Sequence, residues 1–140
     1  MAVTANQMVT KSNTTRSKVP VAAAKRIYRG TLVFAASGLA TDVINSGANK
    51  FMGIAVDEAN NSAGAASAIL VEVEREGRFL LTGASLTQAM VGTRCYATDN
   101  YTITNVATET TYIGVFDEFV SATEAWIRLD VASTHPTVSA

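Results

Sequence analysis

From residue 19 onward, apolar and polar side chains alternate in short runs separated by turn-forming residues, the two-residue period of half-buried strands. The runs fall at residues 19–24, 31–36, 51–56, 68–76, 78–81, 94–97, 101–104, 112–116 and 125–131. Pro20 removes a ladder donor, which places the first run at an edge or a strand start. In the fourth run Ile69, Val71 and Val73 share one side, with Glu72, Glu74 and Glu76 on the other. Gly77 then predicts a bulge or bend before the fifth run. Thr98-Asp99-Asn100 reads as the tight turn of a hairpin between the sixth and seventh. In the last run Trp126, Arg128 and Asp130 alternate with Ile127, Leu129 and Val131. Only residues 86–91 read as a short helix. The pattern predicts an all-β fold, a small β-barrel or β-sandwich knob, over residues 19–132.

A weak internal repeat spans residues 30–74 and 92–131. Phe51-Met52-Gly53-Ile54 followed by Asp57-Glu58 returns as Tyr112-Ile113-Gly114-Val115 followed by Asp117-Glu118, and each copy opens on Gly-Thr, at Gly30-Thr31 and Gly92-Thr93. A glycine beside an aromatic lets one backbone approach another closely while the ring packs over the gap.

Composition narrows the picture. Alanine (23) and threonine (18) supply 41 of the 140 residues, which suits strands of small and β-branched side chains. Charge is placed unevenly around a net of -1. Lys11, Arg16, Lys18, Lys25, Arg26 and Arg29 precede the first acid, and the chain after Thr41 carries five positives against twelve acids. Residues 1–18, rich in Ser, Thr and Asn and without an apolar period, read as an extended, flexible basic arm; residues 133–140 read as a C-terminal tail. No charged leader followed by an apolar run opens the chain, and no apolar run is long enough to span a bilayer, so the expectation is a protein made in a reducing cytoplasm.

Candidate chemistry is sparse. One cysteine, Cys95, excludes an internal disulfide, and one histidine, His135, nearly excludes a His-based triad or multi-His metal centre. No phosphate-binding glycine loop, dinucleotide fingerprint or Gly-x-Ser-x-Gly elbow occurs. Glu72, Glu74 and Glu76 read as a solvated face, Asp57-Glu58 and Asp117-Glu118 as strand-ending turns, and Cys95 as a buried, inert thiol. Tyr28 is the basic segment's only aromatic, too few for stacking bases, so direct nucleic-acid binding is not expected. Tyr28 and Trp126 are candidate interface aromatics. The expectation is a non-enzymatic binding protein with no catalytic residues, cofactor or metal.

Glu76-Gly77-Arg78-Phe79-Leu80-Leu81, then the stretch Val91-Gly92-Thr93-Arg94-Cys95-Tyr96-Ala97-Thr98-Asp99-Asn100, then Tyr112-Ile113-Gly114-Val115 and Ala125-Trp126-Ile127-Arg128-Leu129, have a recognisable cadence. With Met52-Gly53-Ile54-Ala55-Val56, this order of strands resembles the tailed-phage capsid decoration (head cement) proteins, formerly a family of unknown function. The resemblance covers residues 30–130; the long basic arm and the insertion at residues 58–67 depart from it. It implies a β-tulip-like knob, usually a homotrimer, on the outer surface of the virion. Its partner there is the major capsid protein, at three-fold and quasi-three-fold positions, with no membrane contact. The knob would clamp capsomer junctions against internal DNA pressure, with Lys11, Arg16, Lys18, Lys25, Arg26 and Arg29 as the capsid-contact arm. The alternative is a phage tail, fibre or adhesion module that binds host glycans through exposed aromatics near Tyr101 and Trp126.

Overall fold

The computed structural model describes residues 5–7 and 15–131 of the chain. The fold is all β. Among the described residues twelve strands form: β1 (Arg16–Pro20), β2 (Lys25–Ile27), β3 (Leu32–Ala36), β4 (Leu39–Thr41), β5 (Lys50–Ala55), β6 (Ala59–Asn61), β7 (Leu70–Glu74), β8 (Arg78–Gly83), β9 (Arg94–Ala97), β10 (Thr102–Thr104), β11 (Thr111–Ser121) and β12 (Glu124–Leu129). The segment expected to be helical forms only a 3-10 turn at Gln88–Met90.

The strands make two five-stranded units in tandem. The second is a closed barrel in the order β10-β8-β12-β11-β9. The first is a sheet in the order β1-β7-β5-β3-β4. Its edges meet through a parallel bridge between Val21 and Ala40 and a 3.0 Å hydrogen bond from the Ala22 N–H to the Ala40 carbonyl. Strand for strand the connectivity is the same. In each unit a leading strand (β1 or β8) precedes a hairpin (β3–β4 or β9–β10). A long strand (β5 or β11) then pairs with the hairpin, and a closing strand (β7 or β12) lies between the long strand and the leading one.

The aromatic-x-Gly motifs explain why such short sheets curl. In β5 the residue between Phe51 and Gly53 is skipped in the pairing with β3; in β11 the residue between Tyr112 and Gly114 is skipped in the pairing with β9. Each is a β-bulge, which adds local twist. The glycines are required because a Cβ on Gly53 would lie 2.5 Å from the Glu74 carbonyl oxygen, and one on Gly114 would lie 2.1 Å from that of Arg128. The Gly-Thr openings also match. The Thr31 and Thr93 hydroxyls donate to the carbonyls of Tyr28 (2.8 Å) and Met90 (2.6 Å). The Gly30 and Gly92 N–H groups donate to those of Ala55 (2.9 Å) and Phe116 (2.8 Å).

Small barrels have room for few large side chains, and five alanines, Ala40, Ala55, Ala59, Ala97 and Ala125, are buried in the cores. The first unit is filled by Val19, Val21, Val33, Ala40, Ala55, Val71 and Val73. It is plugged by Ile27 and Ala59 from the β2–β6 ribbon, whose Asn61 donates to the carbonyls of Ala22 (3.0 Å) and Ala65 (2.9 Å). β6 lies within residues 58–67, so that segment supplies part of the plug. The second core holds Cys95, Ala97, Ile103, Ile113, Phe116, Ala125, Ile127 and Leu129, and it is continuous with Leu32, Phe34, Phe51 and Ile54 on the outside of the first unit. That continuity joins the two units. It is reinforced by the Leu32 N–H bonding the Asn100 carbonyl at 2.8 Å and the Thr111 hydroxyl bonding that of Asn49 at 3.2 Å.

Two sequence expectations change. The arm cannot extend to residue 18, because Arg16 to Lys18 already pair with Glu74 to Glu72 in β1 and β7; side-chain alternation is too short there to show in the sequence. Gly77, at φ +116, is the bend of the two readings rather than the bulge, and the run after it does not continue the same sheet: β7 and β8 belong to different units.

Candidate functional site

Of the six expected arm cations, Lys11 lies outside the described residues. The rest sit on the body of the domain rather than on an arm: Arg16 and Lys18 in β1, Lys25 and Arg26 in β2, and Arg29 in the turn after it. Three are matched by the chain's own acids. Arg16 reaches Glu72 at 3.6 Å and Glu74 at 3.4 Å, Lys25 meets Asp42 at 3.2 Å, and Arg26 pairs with Glu58 while its guanidinium stacks over Tyr28 at 4.9 Å. These hydrogen bonds hold the Glu74 carboxyl below its usual range, the Thr15 hydroxyl being the largest cause, and raise Arg26 through Glu58. Lys18 and Arg29 are exposed, with no ion pair among the described residues.

A second surface, on the outside of the second barrel, went unread in the sequence apart from Trp126. Arg78 on β8 lies over the Trp126 ring on β12 at 4.8 Å, and binds Asp117 at 2.5 Å and Glu118, both on β11. Arg128 approaches the same Asp117 at 3.8 Å. Beside them Arg94 on β9 covers the Tyr112 ring at 5.5 Å, and Tyr112 packs edge-on against Tyr96 at 5.8 Å. The Tyr112 hydroxyl donates to Asp130 at 2.9 Å; partial burial, helped by that bond, pushes its pKa up to about 12. The Trp126/Arg128 alternation hinted at this face. Arg78 and Arg94 come from strands more than thirty residues before Trp126, and only the barrel register brings them alongside.

The described residues hold little that could do chemistry. No group of three or more His, Cys, Asp or Glu among them is placed to hold a metal. Asp57-Glu58 follows the end of β5 as expected, but Asp117-Glu118 lies within β11 rather than in a turn; Glu58 is engaged by Arg26 and Asp117-Glu118 by Arg78, so neither forms a poised acid/base pair. Cys95 is fully buried inside the second barrel, where desolvation pushes its thiol far above the ordinary range. A disulfide-exchange reagent should therefore label Cys95 only as fast as the protein unfolds; prompt stoichiometric labelling in native buffer would contradict its placement. His135 lies outside the described residues. No helix among the described residues is long and apolar enough to cross a membrane.

Comparison with protein-family models, with curated proteins and with solved structures finds no match to this chain.

Proposed function

We propose that the protein is a capsid decoration protein: a small β knob that binds the outer surface of an icosahedral phage head, associates with itself, and braces capsomer junctions against DNA pressure. The observation that supports this most is the fate of the motifs behind the family resemblance. Each aromatic-x-Gly segment forms the bulged central strand of a unit, Phe51 to Gly53 in one and Tyr112 to Gly114 in the other. The result is a rigid, doubly cored body whose chemistry lies on its outer faces, as a binding protein needs. Such a clamp gains strength by engaging several shell subunits at once, which multiplies modest affinities.

The chain before β1, which carries Lys11, acts as a tether in this reading, and Lys18 and Arg29 on the body add cations with no ion pair among the described residues. A variant lacking residues 1–14 leaves β1 intact and should occupy undecorated heads of the virus that encodes it at least about tenfold less well, a loss near 1.4 kcal/mol. Full-length protein should also dissociate as salt rises. Co-sedimentation measures both, and a full-length chain that never sediments with such heads overturns the reading. The glycan-binding alternative has exposed Tyr101 (59%) in its favour. Trp126 is less suited to stacking on a sugar, because Arg78 already covers its ring.

A further inference from the structure

The tandem repeat makes one surface conspicuous. Pairing register sets Leu32, Phe34, Phe51 and Ile54 of the first unit equivalent to Arg94, Tyr96, Tyr112 and Val115 of the second. Even the aromatic pairs correspond: Phe34 and Phe51 at 6.2 Å, Tyr96 and Tyr112 at 5.8 Å. In the first unit this outer face is buried, because the second barrel packs on it. In the second unit the same face has no barrel against it. Arg94 is exposed, and Tyr96, Tyr112 and Val115 are half-buried. Exposed Tyr, Trp and Arg side chains grouped on one sheet are the residue types that dominate protein–protein binding energy.

The surface that suits it lies on the first unit of another copy. A cleft of about 230 Å³ there is lined by Lys18, Asp57, Glu58, Leu70, Val71 and Glu72, of which Glu58 and Glu72 are already engaged by Arg26 and Arg16. Leu70 is 54% exposed, and Asp57 makes no ion pair or hydrogen bond among the described residues. Arg94 is the complementary group, a guanidinium whose one visible partner among the described residues is the Tyr112 ring.

We propose that copies of this chain associate head to tail, the Arg94–Tyr96–Tyr112 face of one on the Asp57–Leu70–Glu72 cleft of the next. Because the two surfaces differ, the interface is heterologous and closes into a ring if the rotation allows. This deepens the self-association in the proposed function, yet it can fail while shell binding stands.

Charge reversal on the full-length chain tests it, with mass measured by sedimentation equilibrium. The wild type should form an assembly larger than a monomer. Arg94→Glu and Asp57→Lys each should weaken it at least about tenfold. The double variant R94E/D57K should reassemble, since the exchanged charges then attract again across every joint. Both positions are exposed, and circular dichroism is the check that each variant folds. A monomeric wild type, single variants that assemble normally, or a double variant that stays apart would each overturn the inference. Loss of head binding with assembly intact would instead count against the decoration reading alone.

Discussion

Alanine at position 53 should destabilise the protein by about 4 kcal/mol. Two independent effects combine. The new Cβ would sit 2.5 Å from the Glu74 carbonyl oxygen and 3.2 Å from the Val73 Cβ, so β5 and β7 must part; overpacking of this kind costs roughly 1–3 kcal/mol. Position 53 also holds φ at +138, a conformation that strains any residue with a side chain by about 1–3 kcal/mol. Against a total stability of roughly 5–15 kcal/mol the loss is large. Gly114→Ala meets an even closer oxygen, 2.1 Å away on Arg128, but not the left-handed backbone, and should cost about 3 kcal/mol. Gly92 supplies the control: φ is +88 there but nothing lies within 4 Å, so alanine should cost only about 1–2 kcal/mol. Urea titration gives the ranking through the midpoint, provided the slope is unchanged. A Gly53→Ala protein within about 0.5 kcal/mol of wild type, the ordinary scatter of surface substitutions, would refute the close strand approach.

Phe51→Ala should cost about 4 kcal/mol, whereas Tyr112→Ala, at the matching position of the other unit, should cost only about 1–2 kcal/mol. Both residues precede a bulge, and both pack against an aromatic on the neighbouring strand. Phe51, however, is fully buried where the second barrel covers the first, so its removal leaves a cavity at the joint. Tyr112 is half-buried and loses a cross-strand contact and one hydrogen bond to Asp130. The Phe51 variant should also uncouple the units. Trp126, in the second barrel, would then report unfolding at a different urea concentration from total strand signal. Equal losses at the two positions would mean that the outer face of the second barrel is covered within the monomer.

Much of the strand pattern was legible. The eight runs at residues 31–131 each contain a strand or part of one, and the alternation of Val71 and Val73 with Glu72 and Glu74 assigns inside and outside correctly. Three strands were missed: β2, β4 and β6, each three residues long. Three residues carry at most one full alternation, so no period can emerge. The candidate site was legible in part. The basic segment stood out as a charge imbalance, but Arg16 pairs with Glu74 fifty-eight residues away, and Arg78 with Asp117 thirty-nine away. Linear spacing holds no information about such neighbours until the strands are ordered.

The sequence alone determined the β class, the inward and outward positions of its longer strands, and the two glycines, Gly53 and Gly114, at which one backbone approaches another closely. These depend on side-chain period and backbone sterics, which act within a few residues. The internal repeat was legible too, but only the tertiary structure decided that each copy recruits a leading strand and becomes its own five-stranded unit, and that of two equivalent aromatic faces one is buried and one left open. It also matched three of the five described leading cations with the chain's own acids. Burial and Coulomb attraction depend on distance through space, and that distance is set by which strands become neighbours when the sheets close.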